Sequence, residues 1–470
     1  MSYTATIGLE VHAELNTATK MFCGCKNQPH GSEPNSLICP VCMAHPGTLP
    51  VPNKKAIEMV LLFGRAVGAT ASDYSEFDRK NYFYPDIPKA YQISQYAYPF
   101  LLQGSLEGIE LTRVHLEEDT ARSQHDKGDQ SLVDFNRAGV PLMELVTEPV
   151  IHDAQTAGRF ARELQLLLRT LKISKANMEK GEMRVEANIS VSKDATLGTK
   201  VEVKNLNSFK SVEAAIEYEI NRQIETLENG ESLSQETRGW DENKNKTFTQ
   251  RSKETAKDYR YFPDPDIPKI KTSEVPEFSA ASLDEMLPIL PSKKRLDYKN
   301  LGLASNLVEV IITQPELDQY FESLLVTLEG DQDVIKIAVN YLTSDIVALI
   351  ANEERALSDI KLEHFAELVV LVRDKKIGSR VAKDLLAELF NSELSPLEIA
   401  TRGNLLQVSD DSSLEPLIDS IIAENPVVVA QYLEGKEASI QYLVGQGMKQ
   451  SKGAANPARL KELFAQKIKK

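Results

Sequence analysis

The rhythm of hydrophobic and polar positions changes near residue 290. Upstream, short alternating stretches are separated by clusters of Gly, Pro and Asn, which is the pattern of strands with some helices. Ile7, Leu9 and Val11 alternate with Gly8, Glu10 and His12, and Met183, Val185, Ala187, Ile189 and Val191 alternate with Arg184, Glu186 and Asn188. Two helices are predicted in this part. One covers 153–172, opens at Asp153 and carries Leu164, Leu167, Leu168 and Leu171 on one face; the other covers 208–229 and stops at Gly230. Downstream the period lengthens to that of a helix, and Val334, Ile335, Ala338, Val339, Leu342, Ile346 and Leu349 trace one stripe. Further helices are predicted around 355–375, 378–391, 414–423 and 456–469. The Pro-rich segments 264–278 and 287–294 interrupt both ladders and helices and mark the boundary. The prediction is an α+β fold: a domain over 1–290 with a large antiparallel sheet, an all-α helical domain over 293–400 and a small helical tail domain over 405–470.

Composition leaves this picture intact. The 470 residues suit about three domains. With 42% hydrophobic and 26% charged residues, a disordered chain, a collagen and a coiled-coil rod are excluded. No apolar run of about 18 residues stands out, so no membrane helix is expected. The N-terminus has no secretory pattern, so the chain is expected to be cytoplasmic. Net charge is −15, yet residues 441–470 hold seven basic residues against Glu462 alone, or +6, which leaves −21 for the rest. An acidic body with a basic end fits a local nucleic-acid contact, and equally a solvated terminal helix.

The strands' non-core faces carry the chemistry. Period two puts Glu10 and His12 on one face, about 6–7 Å apart. Arg113, His115 and Glu117 share one parity; Val114, Leu116 and Glu118 share the other. Glu144 shares parity with Leu142, and Glu202 and Lys204 oppose Val201 and Val203. Such alternation also fits a plain solvated face. Clustered carboxylates with one imidazole repel unless a cation joins them, and oxygen-rich ligands suit Mg²⁺ or Mn²⁺. Beside Arg184 and Lys204, such an ion would suit a nucleoside triphosphate. The loop 78–100 interleaves Tyr82, Tyr84, Tyr91, Tyr96 and Tyr98 with Lys80 and Lys89, a pattern that fits stacking of a base and equally packed surface tyrosines.

The four cysteines, Cys23, Cys25, Cys39 and Cys42, fall as C-x-C-x13-C-x-x-C, a knuckle-like spacing for structural Zn²⁺; free thiols and redox chemistry are the alternatives. No P-loop, dinucleotide fingerprint, nucleophile elbow or H-E-x-x-H occurs.

The segments IGLEVHAEL (7–15), FDRKNYFYPDIPKAYQISQ (77–95), HLEEDTARS (115–123), VDFNRAGVPLMELVTEP (133–149), RVEANIS (184–190), EVKNLNSF (202–209), QETR (235–238), DYRYFPDPDIP (258–268) and LVGQGMKQSKGAANP (443–457) resemble the B subunits of the glutamyl-tRNA(Gln)/aspartyl-tRNA(Asn) amidotransferases, in order along nearly the whole chain. The resemblance implies a cradle-like catalytic domain followed by a helical and a tail domain. It implies ATP- and Mg²⁺-dependent phosphorylation of the side-chain carboxylate of Glu-tRNA(Gln) or Asp-tRNA(Asn). Ammonia, made from glutamine in an amidase A subunit, then displaces phosphate. A heterotrimer is completed by a small C subunit, and no membrane is involved. Matched motif by motif, the implied Mg²⁺ ligands are His12, Glu118 and Glu144, with Glu10 and Glu117 beside them. Glu10, Glu117, Arg184, Glu186 and Lys204 become the catalytic candidates. Lys80, Tyr82, Tyr84, Lys89, Asn188 and Asn205 become the ATP or substrate candidates, and Lys449 and Lys452 the tRNA contacts. Some members of the family lack the cysteines, so the implied zinc is structural. The alternative from another class is a non-catalytic tRNA-binding adaptor.

Overall fold

A computed structural model describes residues 2–124, 130–194, 196–252, 258–353, 355–407, 411–451 and 455–469. It divides into two compact units, Met1–Pro291 and Ser292–Lys470. The first contains β1 (Thr4–Glu14), α1 (Lys54–Ala66), β2 (Asp78–Asn81), β3 (Tyr91–Ser94), β4 (Ile109–Glu118), β5 (Pro141–Thr147), α2 (Ala154–Thr170), β6 (Met183–Ser192), β7 (Val201–Leu206), α3 (Phe209–Glu228), β8 (Glu236–Asp241) and β9 (Lys246–Ser252). A ten-stranded sheet runs in the order β9-β8-β7-β6-β1-β5-β4, then the short strands Leu101–Leu102 and Thr70–Ala71, with Ser105–Leu106 pairing β4. It is antiparallel except for β7 and β8, which pair in parallel because α3 intervenes and returns the chain in the same direction.

β1 lies between β6 and β5, so its alternation is written across three strands. Ile7, Leu9, Val11 and Ala13 are buried in one core with Val60 of α1, Leu164 and Leu168 of α2, and Val212 and Ile216 of α3. At about 25 cal/mol per Å², burying each such large side chain contributes roughly 1.5–3 kcal/mol. α2 starts where Asp153 accepts a hydrogen bond from the Thr156 N–H, and α3 where Ser208 accepts from the Ser211 N–H. Gly230, at φ +77°, follows α3 and lets the chain turn away. The helices thus cover one face of the sheet. A smaller three-stranded sheet of β2, β3 and Phe262–Pro263 abuts the end of β4.

The second unit is helical from Pro291–Asn300 to Pro457–Ile468. One continuous helical run, Gln332–Ala351, is long and apolar enough by length and composition to cross a membrane, which corrects the expectation that none would be. Lys336, Asn340 and Asp345 break the run to the eye but leave its average apolar. Its Val334, Ile335, Ala338, Val339, Leu342 and Ile346 are buried in the unit's own core. The last four helices, Asp411–Glu424, Pro426–Leu433, Ser439–Gln450 and Pro457–Ile468, enclose a separate small core that includes Ile418, Ile421, Leu443, Leu460 and Phe464.

Candidate active site

The sheet face opposite the helices gathers acids. Register sets His12 opposite Glu144 on one side and Arg184 on the other, and sets Glu144 opposite His115. His12 Nε2 lies 3.4 Å from Glu144, 3.6 Å from Glu117 and 3.9 Å from Glu10. His115 Nε2 lies 3.2 Å from Glu144, and Arg113 approaches the same carboxylate at 4.0 Å. One pair further along, Glu10 faces Glu186, whose carboxylate accepts from Lys204 Nζ at 2.7 Å.

Crowding shows in the protonation. Burial pushes the Glu10 carboxyl up to about 7, with Glu144 and Glu186 adding to it against His12 and Lys204. Burial alone would lower His12; the hydrogen bond and charge of Glu144, with Glu117 and Glu186, outweigh it and raise the imidazole to about 9. Glu144 stays well below the usual carboxylate range despite burial, because His115 and His12 both face it. Glu10 and His12 thus take up protons where positive charge is short. Glu10, His12 and Glu144 offer ligand atoms within 4.8 Å of one another, and so do His115, Glu117 and Glu144. His12 Nδ1 and His115 Nδ1 are buried without hydrogen-bond partners. An oxygen-rich set with imidazole nitrogen fits Mg²⁺ or Mn²⁺.

Glu118 is elsewhere. Its parity puts it on the other face, where its carboxylate accepts from Lys89 Nζ at 2.7 Å and from the Ile93 N–H at 3.0 Å. Glu117, whose Oε2 accepts from Ser94 Oγ, stands by His12 in its place, because adjacent residues of a strand point to opposite faces. Lys89 goes with Glu118, away from the cluster.

Lys80 is held charged, against burial, by Glu117, Tyr261 and Glu144. Its Nζ lies 4.9 Å from the Tyr259 ring and 5.8 Å from that of Tyr82. Tyr82 donates to Gln92, and Tyr84 packs edge-on against it while remaining half exposed. Tyr259 and Tyr261 complete this aromatic wall, with Tyr261 stacked on Tyr96 at 4.4 Å. Asn188 sits opposite Gly8, two residues along the strands from Glu10 and Glu186 and on the same face. Asn205 is exposed, at φ +65° in a bulge where β7 carries one extra residue against β6, and lies outside the cluster.

Arg184 is anchored by Asp119, which accepts from its Nη2 at 3.1 Å with both oxygens while Arg137 Nε stands 3.6 Å away. Sequence reasoning singled out neither Asp119 nor His115. His115 shares the parity of Glu117, a usable signal; Asp119 follows the strand's end, where parity lapses.

The four cysteine sulfurs lie within 4.8 Å of one another, and no disulfide joins them. Cys39 and Cys42 Sγ are 3.9 Å apart, close to the spacing of sulfurs on a tetrahedron with Zn–S bonds of about 2.3 Å. A hydrogen bond from Cys23 draws Cys42 down to about 4, with Lys20 nearby adding to it. Lys20 is only 1% exposed, with Nζ 3.2 Å from the Phe135 carbonyl and 3.9 Å from Cys42 Sγ. In the second unit, Lys449 is exposed in the last turn of Ser439–Gln450; Lys452 lies outside the described residues.

A family model described as the GatB/GatE catalytic domain matches residues 5–276, and one described as the GatB domain matches residues 319–468. The B subunit of the aspartyl/glutamyl-tRNA(Asn/Gln) amidotransferase of Gloeothece citriformis is 42% identical over 99% of this chain and 98% of its own. That of Caldanaerobacter subterraneus is 42% identical over the whole of both chains. The B subunit of the chloroplastic/mitochondrial glutamyl-tRNA(Gln) amidotransferase of rice (Oryza sativa subsp. japonica) is 40% identical over 99% of this chain and 88% of its own.

Proposed function

The chain belongs to the family of B subunits of the aspartyl/glutamyl-tRNA(Asn/Gln) amidotransferases, and from that membership we propose which of its residues carry the reaction. It is one component of an ATP-dependent ligase that converts misacylated Asp- or Glu-tRNA to Asn- or Gln-tRNA. A carboxylate resists amidation because its leaving group is too basic. Transfer of the γ-phosphoryl group of ATP forms an O–P bond on the side-chain carboxylate, breaks the bond to the β–γ bridging oxygen and releases ADP. Ammonia attacks the acyl carbon, loses a proton, and phosphate departs with the C–O bonding pair.

Glu10, His12, Glu117 and Glu144 are the residues that would hold Mg²⁺, which when bound neutralises phosphate charge. Lys80, at the Glu117 end of the cluster, and Lys204, at the Glu186 end, balance the charge of the transferring group. Arg184, fixed by Asp119, binds the acyl carboxylate, and Tyr82, Tyr84 and Asn188 line its approaches. Lys89 and Glu118 brace the floor by pairing with each other. The observation that carries this reading is the convergence of Glu10, His12, Glu117 and Glu144 on one open face.

Ammonia arrives from an amidase A subunit, and the cytoplasmic heterotrimer is braced by a small C subunit. Residues 1–290 form the cradle that performs the chemistry. The segment 293–400 links it to a tail, 405–470, which holds tRNA through Lys449 and Lys452. The cysteines hold a structural Zn²⁺. The test is amidation by the reconstituted complex with Glu-tRNA(Gln) and Asp-tRNA(Asn) separately. Glu144→Ala should abolish tRNA-dependent ATP hydrolysis and retain tRNA affinity. Undiminished turnover would establish the adaptor reading instead.

A further inference from the structure

The polar row of β1 does not end at His12. The next side chain on that face is Glu14, about 6–7 Å further along. Its N–H donates to the Glu182 carbonyl at 2.8 Å, just before β6 begins at Met183. A polar cavity of about 300 Å³ opens here, lined by the buried Glu14 and Glu182, by Asn27 and His30, and by the exposed Lys175 and Lys180. We propose that this cavity holds the α-ammonium group of the aminoacyl ester, with Glu14 as its counter-ion and His30 as a second acceptor, while the side-chain carboxylate of the same amino acid reaches back to Arg184.

Two buried polar atoms carry the argument. Glu14 Oε1 and His30 Nε2 are both buried without a hydrogen-bond partner among the described residues. The Glu14 side chain is only 9% exposed, and its other oxygen stands 3.9 Å from His30 Nε2, too far for a hydrogen bond. A buried acceptor without a donor costs about 1–3 kcal/mol, and more when charged, a cost that a ligand's N–H groups remove. The neighbouring acid is already served, since Glu182 Oε2 accepts from the Asn177 N–H at 3.2 Å. Arg184 and Arg137 act on Glu14 from a distance, but both are committed to Asp119. Burial holds the His30 imidazole below its ordinary 6.5, against the pull of Glu182, so the ring is neutral and Nε2 accepts when Nδ1 carries the proton.

The ligand chemistry follows from these acceptors. An ammonium is compact and brings three donors. A phosphate is disfavoured by two acids at one wall. Among the described residues, the groupings compact enough for a metal ion include neither Glu14 nor His30. The reach also fits. The side-chain carboxylate carbon and the α-nitrogen are about 5 Å apart in an extended glutamyl group and about 4 Å in an aspartyl group. Arg184 faces His12, one step along the same face from Glu14. Lys175 and Lys180 stand on the solvent side, where a polyanionic acceptor stem would approach. This inference rests on the proposed function, since it needs the acyl carboxylate at Arg184.

The test is amidation by the reconstituted complex of Glu-tRNA(Gln) and of its α-hydroxy analogue, made by nitrous acid deamination, in which a hydroxyl of similar size replaces the ammonium. The wild type should favour the natural substrate in kcat/KM by on the order of a hundredfold. Glu14→Gln should lower kcat/KM for Glu-tRNA(Gln) by a similar factor and leave that for the analogue little changed, so that the preference disappears. Glu14→Asp, which keeps the charge and withdraws it by one methylene, should fall in between and supplies the comparison if Glu14→Gln does not fold. The KM for ATP should stay at its wild-type value in both variants. Equal use of the two substrates by the wild type overturns the assignment, as does a Glu14→Gln enzyme that keeps the preference. Equal slowing of both substrates also overturns it, because a purely structural role for Glu14 would do that. A wild-type complex that fails to amidate Glu-tRNA(Gln) and Asp-tRNA(Asn) would instead overturn the proposed function.

Discussion

Asp119 offers the sharpest energetic test of how the site is held. Its carboxylate is 4% exposed and faces two guanidinium groups, Arg184 at 3.1 Å and Arg137 at 3.6 Å, while also accepting from the Thr120 N–H at 2.8 Å. Asp119→Asn keeps the shape and removes the charge. Each lost attraction is on the order of 4 kcal/mol at an effective dielectric constant near 20. Truncating one partner of a buried pair costs about 3–5 kcal/mol. Arg184 and Arg137 retain 30% and 22% exposure, so water recovers part of this, and about 2–4 kcal/mol is expected. The assay is urea unfolding followed through Trp240, the chain's one tryptophan, which is buried in β8 and therefore reports on the sheet unit. A double-mutant cycle with Arg184→Met should show a coupling of about 1–3 kcal/mol. The sign with pH is also determined. Burial raises the Asp119 carboxyl, but Arg184 and Arg137 outweigh it and hold it below its ordinary 3.8. Its contribution is therefore fully present above pH 3.8 and is lost only as pH falls through the lower folded value. The wild type and Asp119→Asn should differ by a constant amount across neutral pH and converge in acid. A loss under about 1 kcal/mol, or additive cycle energies, would refute the anchoring role.

Three further outcomes follow from the same geometry. Lys20→Met removes a buried ammonium 3.9 Å from Cys42 Sγ, and zinc affinity in chelator competition should fall on the order of a hundredfold, with Lys20→Arg closer to wild type. Glu144→Gln should weaken Mn²⁺ binding about tenfold or more by calorimetry, whereas Glu118→Gln, on the opposite face, should change it little. Gly198→Ala forces a methyl against the Val191 carbonyl, so the segment 196–200 should lift and its amides exchange faster, by about 1 kcal/mol or more of lost protection.

Much of this molecule is legible without coordinates. Alternation in 4–14 and 183–192 identified which residues of β1 and β6 leave the core, and the same parity grouped Glu10 with His12 and Arg184 with Glu186 and Asn188. Asp153 and Gly230 marked helix ends because capping is a local interaction. The cysteine quartet was readable because its members are close in sequence as well as in space. Motif matching did less well at Glu117 and Glu118, where the order of residues names both and only the pleat separates them.

Period and capping are properties of a few neighbouring residues, so the amino-acid order alone specified the elements and the polar face of each strand. Which strands lie side by side is a long-range matter. The pairing that sets His12 between Glu144 and Arg184 joins positions more than a hundred residues apart, as does the approach of Lys80 to Tyr259. The salt links of Asp119, the burial of Lys20 beside Cys42 and the approach of Glu117 to His12 exist only once those distant segments pack, because electrostatic and steric contacts depend on separation in space rather than along the chain.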